Sequence, residues 1–290
     1  MRRENHVIGE TFAYRFAHPR ADHVLLVQHG IGGHGGIYDT FAAAYAGLGA
    51  EVWCMDAPGH GQSRTTRPAG RFTLEEWVAA AVQAGEHIAA ATGLPVFVKG
   101  SSLGAAAAYC AHAASDAFAG AVLMGYMIPS APLIPADNPF RAPAFERMVE
   151  QFGDALRFDI GRFYDFDTDY GYTGADRQKR QDPLNTWSYD LASVGSLMRY
   201  DPAVPLAVNT KPLLFTVGEK DPVFTPEIAR ATVAATAGPV ELYVHPGGVH
   251  QLMLFHTAAY ARVVSTWCRT TLATPSALSA PSAPSKEGTA

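Results

Sequence analysis

The sequence predicts an α/β fold: a mostly parallel central sheet with helices on both faces, and an inserted, largely helical cap. Three observations carry this. Short strand-like runs alternate with segments of helical spacing, the pattern of parallel strands joined by crossover helices. The alternation lapses between about Met127 and Val204, where Pro129, Pro132, Pro135, Pro139 and Pro143 interrupt the chain, and resumes at Pro212. Finally, 290 residues with 48% apolar and 17% charged side chains suffice for one large domain with an insertion, or for two small ones.

Taken in order, residues 7–17 alternate loosely and read as an opening strand or hairpin. His23–Gln28 reads as a buried strand and runs into the glycine-rich loop His29-Gly30-Ile31-Gly32-Gly33-His34. A helix over about Ile37–Leu48 leads to a strand at Glu51–Asp56 and the loop Ala57-Pro58-Gly59-His60-Gly61-Gln62-Ser63. Thr73-Leu74-Glu75-Glu76 is a capping box, and the apolar positions from Leu74 to Ile88 keep helical spacing behind it. Val96–Lys99 and Ala121–Gly125 read as strands on either side of an alanine-rich helix. After the aromatic-rich, proline-broken segment come a strand at Pro212–Val217, a helix opened by Thr225-Pro226, a strand at Val240–Val244 and a last helix over about 257–271. The expected division is a core of residues 1–128 and 205–271, a cap of 129–204, and a disordered Ser/Pro/Ala-rich tail of 272–290.

The formal charge of −5 offers no basic footprint and argues against nucleic acid as a partner. The basic N-terminal residues are followed by no apolar region of the kind that makes a signal peptide, and no apolar stretch is long enough to span a bilayer. Cys54, Cys110 and Cys268 are widely spaced and set among apolar residues. They read as buried free thiols of a cytoplasmic protein, not as a disulfide frame or metal site.

The chemistry starts at Gly100-Ser101-Ser102-Leu103-Gly104, a G-x-S-x-G run between strand and helix. Such a turn lifts a serine above the sheet and leaves little room two residues to either side. Ser102 has Gly100 and Gly104 at those places, whereas Ser101 has Lys99 and Leu103, so Ser102 is the candidate nucleophile. The plainer alternative is a serine that only caps the helix. A serine nucleophile needs a base, and His250 stands in a loop between the last strand and last helix, where an imidazole reaches the rim of the sheet. Asp221, just past the Pro212–Val217 strand, is the candidate orienting carboxylate; Glu219 is closer to the strand and expected to point away. Backbone N–H groups must hold the developing oxyanion. One is expected from Leu103 and the other from Ile31, with Gly32 as the alternative. His29 and His60 are expected to brace their loops.

Together, H-G-I-G-G-H with Tyr38, D-A-P-G-H-G-Q-S, G-S-S-L-G, Asp221 and His250 resemble the α/β-hydrolase superfamily, and within it the monoacylglycerol lipase/lysophospholipase-like branch. The resemblance covers nearly everything except the tail. It implies a serine hydrolase with Ser102, Asp221 and His250 as triad, Ile31 and Leu103 as oxyanion donors, and no cofactor or metal. The chain departs from the branch at Ser101, where histidine is frequent, and at Ala105, where glycine is frequent.

The substrate expected is a small-molecule apolar ester, with a medium acyl chain or an aryl group, lodged near Gly32, Met127, Ile128 and the aromatic side chains of the cap. Thioesterase, aromatic monoester hydrolase, C–C hydrolase, perhydrolase and aminopeptidase chemistry use the same constellation. A non-catalytic hydrolase-like binding protein is a rival. A second is a dinucleotide-binding oxidoreductase, since Gly30-x-Gly32-x-x-Gly35 follows a strand and Asp56 closes the next one.

Overall fold

The computed structural model of the chain describes residues 2–64, 67–126, 142–162 and 164–274. An eight-stranded sheet runs through the molecule in the order β1-β2-β4-β3-β5-β6-β9-β10. β1 (Arg3–Ile8) and β2 (Thr11–Phe16) form an antiparallel hairpin, and β2 joins β4 (Glu51–Met55) antiparallel. From there β4, β3 (Val24–Gln28), β5 (Val96–Ser101), β6 (Phe118–Met124), β9 (Leu213–Gly218) and β10 (Val240–His245) are parallel.

Parallel strands need crossovers, and these cover both faces of the sheet. α1 (Asp39–Ala46) and α10 (Thr257–Ala273) bury Phe41, Tyr45, Tyr260 and Val264 against Leu25, Val27 and Phe97. On the other face α2 (Leu74–Thr92), α3 (Leu103–Ala114) and α8 (Pro226–Ala234) pack Trp77, Ile88, Ala106 and Ala229 against Val96, Val98 and Phe215. Each large side chain removed from water here contributes about 1.5–3 kcal/mol. α2 starts on the capping box, in which the Thr73 hydroxyl accepts from the Glu76 N–H and the Glu76 carboxylate accepts from the Thr73 N–H. It ends on Gly93 in the left-handed conformation.

The strand order reverses at β3: α1 leads from it to β4 on one side, and α2 carries the chain from β4 back past β3 to β5 on the other. Sheets of this kind bind ligands at the carboxyl ends of the strands flanking such a reversal. The loop after β3 and the turn after β5 meet there.

Between β6 and β9 the described residues add no strand to the large sheet. Its described part holds α4 (Pro143–Phe152), α5 (Phe166–Tyr170), α6 (Ala175–Arg180) and α7 (Leu191–Arg199). A two-stranded antiparallel ladder of β7 (Arg157–Asp159) and β8 (Ser188–Asp190) joins these helices and adds to the helical insert expected from sequence. Asp190 is buried and bridges Arg71 of the core (2.5 Å) to Arg157 of the insert (2.6 Å). Two further outcomes differ from the sequence reading. α10 runs to Ala273, past the expected start of the tail, and a one-turn helix, α9 (Leu252–Phe255), precedes it. Met127, Ile128 and the tail from residue 275 lie outside the described residues.

Among the described residues no helix is long and apolar enough to cross a membrane. All three cysteines are buried free thiols.

Candidate active site

Ser102 stands between β5 and α3 with φ 54° and ψ −120°, and no other described non-glycine residue has a positive φ. A backbone held there costs about 1–3 kcal/mol and persists only where its surroundings over-determine it. Those surroundings are visible. A Cβ on Gly100 would overlap the Gly104 backbone, and one on Gly104 would overlap the carbonyls of Gln28 and His29. The Ser102 N–H donates to the Met124 carbonyl (2.7 Å). As the residue preceding α3, Ser102 makes no side-chain capping bond, so the plain capping role does not describe it. Ser101 is committed elsewhere, its hydroxyl donating to Gln251 Oε1 (3.3 Å).

His250 follows β10 and is pinned by Asp221, whose Oδ2 lies 2.8 Å from His250 Nδ1. The other carboxylate oxygen, Oδ1, accepts from the Val223 and Phe224 N–H groups, both at 2.9 Å. Both Asp221 oxygens are thus occupied, and the imidazole is held with Nδ1 toward the acid. Glu219 points away, is exposed, and accepts from the Gly247 N–H. A Cβ on Gly125 would meet the His250 ring at 2.7 Å, so a glycine at the end of β6 leaves the ring its place.

Ser102 and His250 line one cavity together with Gly30, Ile31, Tyr164, Phe166, Asp169, Tyr170, Val223 and Gln251. The free space is about 20 Å³, room for about one water. No hydrogen bond joins the Ser102 hydroxyl to His250, although both line this cavity. Such contacts in serine–histidine sites commonly tighten only around substrate.

The loop after β3 is fixed from both sides. The two rings behind it form a chain of neutral histidines. His29 Nδ1 donates to the Gly30 carbonyl (2.8 Å) while Nε2 accepts from the Ala57 N–H (3.1 Å). His60 Nδ1 donates to the Pro58 carbonyl (2.9 Å), and its Nε2 meets the Tyr189 hydroxyl (2.8 Å). Tyr189 in turn accepts from the Gly32 N–H (2.8 Å). The Gly32 carbonyl receives the Lys179 ammonium (3.1 Å) and the Thr186 N–H (3.2 Å) from the insert. With its N–H taken by Tyr189, Gly32 is committed, whereas the Ile31 and Leu103 N–H groups have no partner among the described residues. Leu103 is the first residue of α3, where a helix leaves its N–H groups unsatisfied. Nothing in the sequence marks Tyr189 or Lys179 as partners of Gly32.

Burial holds His60 down to about 4 and His112 down to about 3, and pushes His29 well below the ordinary range. All three take up a proton more readily in the unfolded chain. Their contribution to stability is therefore present above about pH 6.5 and is lost as the pH falls toward 4. Asp56, whose carboxyl burial raises, opposes this in part. The melting temperature is expected to fall steeply from pH 6.5 to 4.5, and His112→Leu to flatten that slope. A melting temperature constant across this range contradicts the assignment.

Asp56 also bears on the dinucleotide reading. Its two oxygens accept from the Gly35 (2.6 Å) and Gln62 (2.7 Å) N–H groups, and it is fully buried, so no carboxylate is free there for a ribose.

Residues 19–255 match the family model described as serine aminopeptidase, S33 (Hydrolase_4). No curated protein matches the chain in sequence. The fold is similar to that of a monoacylglycerol lipase of Paleococcus ferrophilus, at TM-score 0.70 and 22% identity over 90% of this chain and 99% of that one. It is similar also to a soluble variant of the monoglyceride lipase of Saccharomyces cerevisiae (0.71, 16%, 92% and 94%). A highly thermostable carboxyl esterase from Bacillus coagulans gives 0.75 at 16% identity, over 93% and 98%. With a family match over most of its length and the parallel sheet of these enzymes, the chain belongs to the serine aminopeptidase S33 (Hydrolase_4) family of α/β hydrolases.

Proposed function

We propose that the protein is a serine carboxylic-ester hydrolase that works through an acyl-enzyme. The observation that carries this is the positive-φ serine at the rim of the sheet, sharing one cavity with a histidine whose far nitrogen is held by a buried aspartate. Ser102 Oγ attacks the ester carbonyl as His250 Nε2 takes its proton, and the oxygen gathers the negative charge. The Ile31 and Leu103 N–H groups receive that charge. The tetrahedral intermediate then collapses, His250 gives the proton to the departing alkoxide, and an acyl-Ser102 ester remains. Water, deprotonated by His250, attacks the acyl group; the carboxylic acid leaves and Ser102 regains its proton. Asp221 fixes the ring and balances the imidazolium.

Of the segment 129–204, the described residues 142–162 and 164–204 serve as a cap over this site. The aromatic wall of Tyr164, Phe166 and Tyr170 favours an apolar acyl chain or an aryl group beside the reacting carbonyl, in keeping with the lipases and esterase whose fold the chain shares. Three buried thiols fit a reducing compartment, and we place the enzyme in the cytoplasm.

Pre-steady-state hydrolysis of 4-nitrophenyl butyrate tests the reading. A burst of about one equivalent of nitrophenol per protein is expected, absent in Ser102→Ala. A burst of equal size in that variant contradicts it.

A further inference from the structure

The cavity wall contains an acid that the mechanism leaves unused. Asp169 is 8% exposed, and its carboxylate has no hydrogen-bond or ion-pair partner among the described residues. α5 places Phe166, Asp169 and Tyr170 on one face, at positions i, i+3 and i+4, and all three line the cavity with Ser102 and His250. Burial holds the Asp169 carboxyl above its usual range; nearby His250 acts against this, while Asp221 and Asp165 add to it. A carboxylate that faces the cavity without a protein donor is favoured by a donor that a ligand brings to it. The other carboxylates at this rim are all occupied: Asp221 by His250, Asp56 by two backbone N–H groups, and Asp182 by His34 (2.8 Å). The free space beside Asp169 is about that of one water, the size of a hydroxyl or ammonium group.

We infer that Asp169 makes the cap wall of the catalytic cavity a subsite for a hydrogen-bond donor, hydroxyl or ammonium, carried by the substrate close to its scissile carbonyl. This deepens the ester-hydrolase reading and rests on it. The aromatic rings take the apolar part of the substrate, and the carboxylate selects among esters of similar bulk. A carboxylate facing the reacting centre favours esters that bring it a donor over analogues of similar bulk that lack one.

The test compares kcat/KM within matched pairs. 4-Nitrophenyl butyrate against its 3-hydroxy and 3-amino derivatives places the donor on the acyl side. Propyl butyrate against glycerol monobutyrate places it on the alcohol side. Wild-type protein is expected to favour the donor-bearing ester about tenfold or more in at least one pair. In Asp169→Leu that ratio should fall to about one, while Asp169→Asn should keep a preference for hydroxyl and lose one for ammonium. Ratios within one preparation cancel differences in folded fraction, and the near-isosteric Asn variant serves if the Leu variant does not fold. Wild-type ratios near one in every pair, as for a carboxylate satisfied by water, overturn the subsite. So does a preference that survives Asp169→Leu, or a uniform loss over all esters with unchanged ratios, which would assign Asp169 to the His250 imidazolium. If wild-type protein hydrolyses none of these esters, the ester-hydrolase reading falls and the subsite with it; turnover without discrimination overturns the subsite alone.

Discussion

Ser102→Ala is expected to lower kcat for aryl ester hydrolysis by about 10⁴- to 10⁶-fold, with the melting temperature close to that of the parent. The size follows from what is removed. Without Oγ there is no acyl-enzyme, and water must be activated by His250 at a site shaped for a covalent intermediate. On the proposed reading the Ile31 and Leu103 N–H groups still receive the oxyanion, so turnover above the uncatalysed rate is expected to persist. Stability should change little, because the Ser102 side chain makes no cap bond and the tight passage between Gly100 and Gly104 is untouched. A kcat within tenfold of wild type contradicts a nucleophilic Ser102.

Asp221→Asn should cost about 10⁴-fold in kcat. The Val223 and Phe224 N–H groups both donate to Oδ1, so the amide carbonyl of Asn takes that position and its NH₂ turns to His250. An NH₂ beside Nδ1 makes Nδ1 the acceptor and leaves the ring proton on Nε2, the nitrogen that must receive the Ser102 proton. The ring keeps its place in the wrong tautomer. Steady-state kcat with near-wild-type KM is the expected signature, and a loss below tenfold rules out Asp221 as the orienting acid.

The parts of the site that sequence makes legible are those set by local sterics or local order. Glycines at 100 and 104 mark the tight turn, because any side chain there would overlap the backbone packed against it. Asp221 and His250 are legible because each follows a strand and the sheet brings strand ends together. The choice between Ile31 and Gly32 is a different matter. It turns on Tyr189, far along the chain, whose hydroxyl takes the Gly32 N–H, and no local pattern announces that contact. β7 and β8 have three residues each, too few for a period-two pattern to appear. β1 alternates exposed and half-buried residues and starts at Arg3, so its polar half offers no apolar run to read. Asp169 does have a trace in sequence, since Phe166, Asp169 and Tyr170 share helical spacing. Only the fold shows that their common face borders Ser102.

In the proposed mechanism Ser102 is an alcohol made reactive by His250 and Asp221. Treating the full-length protein with a fluorophosphonate and mapping the adduct by peptide mass spectrometry tests it most directly. One phosphonyl group per chain is expected, on Ser102, with labelling slowed at least a thousandfold in His250→Ala. A folded protein that resists the reagent, or that is modified at full rate on another serine such as Ser101, would contradict it.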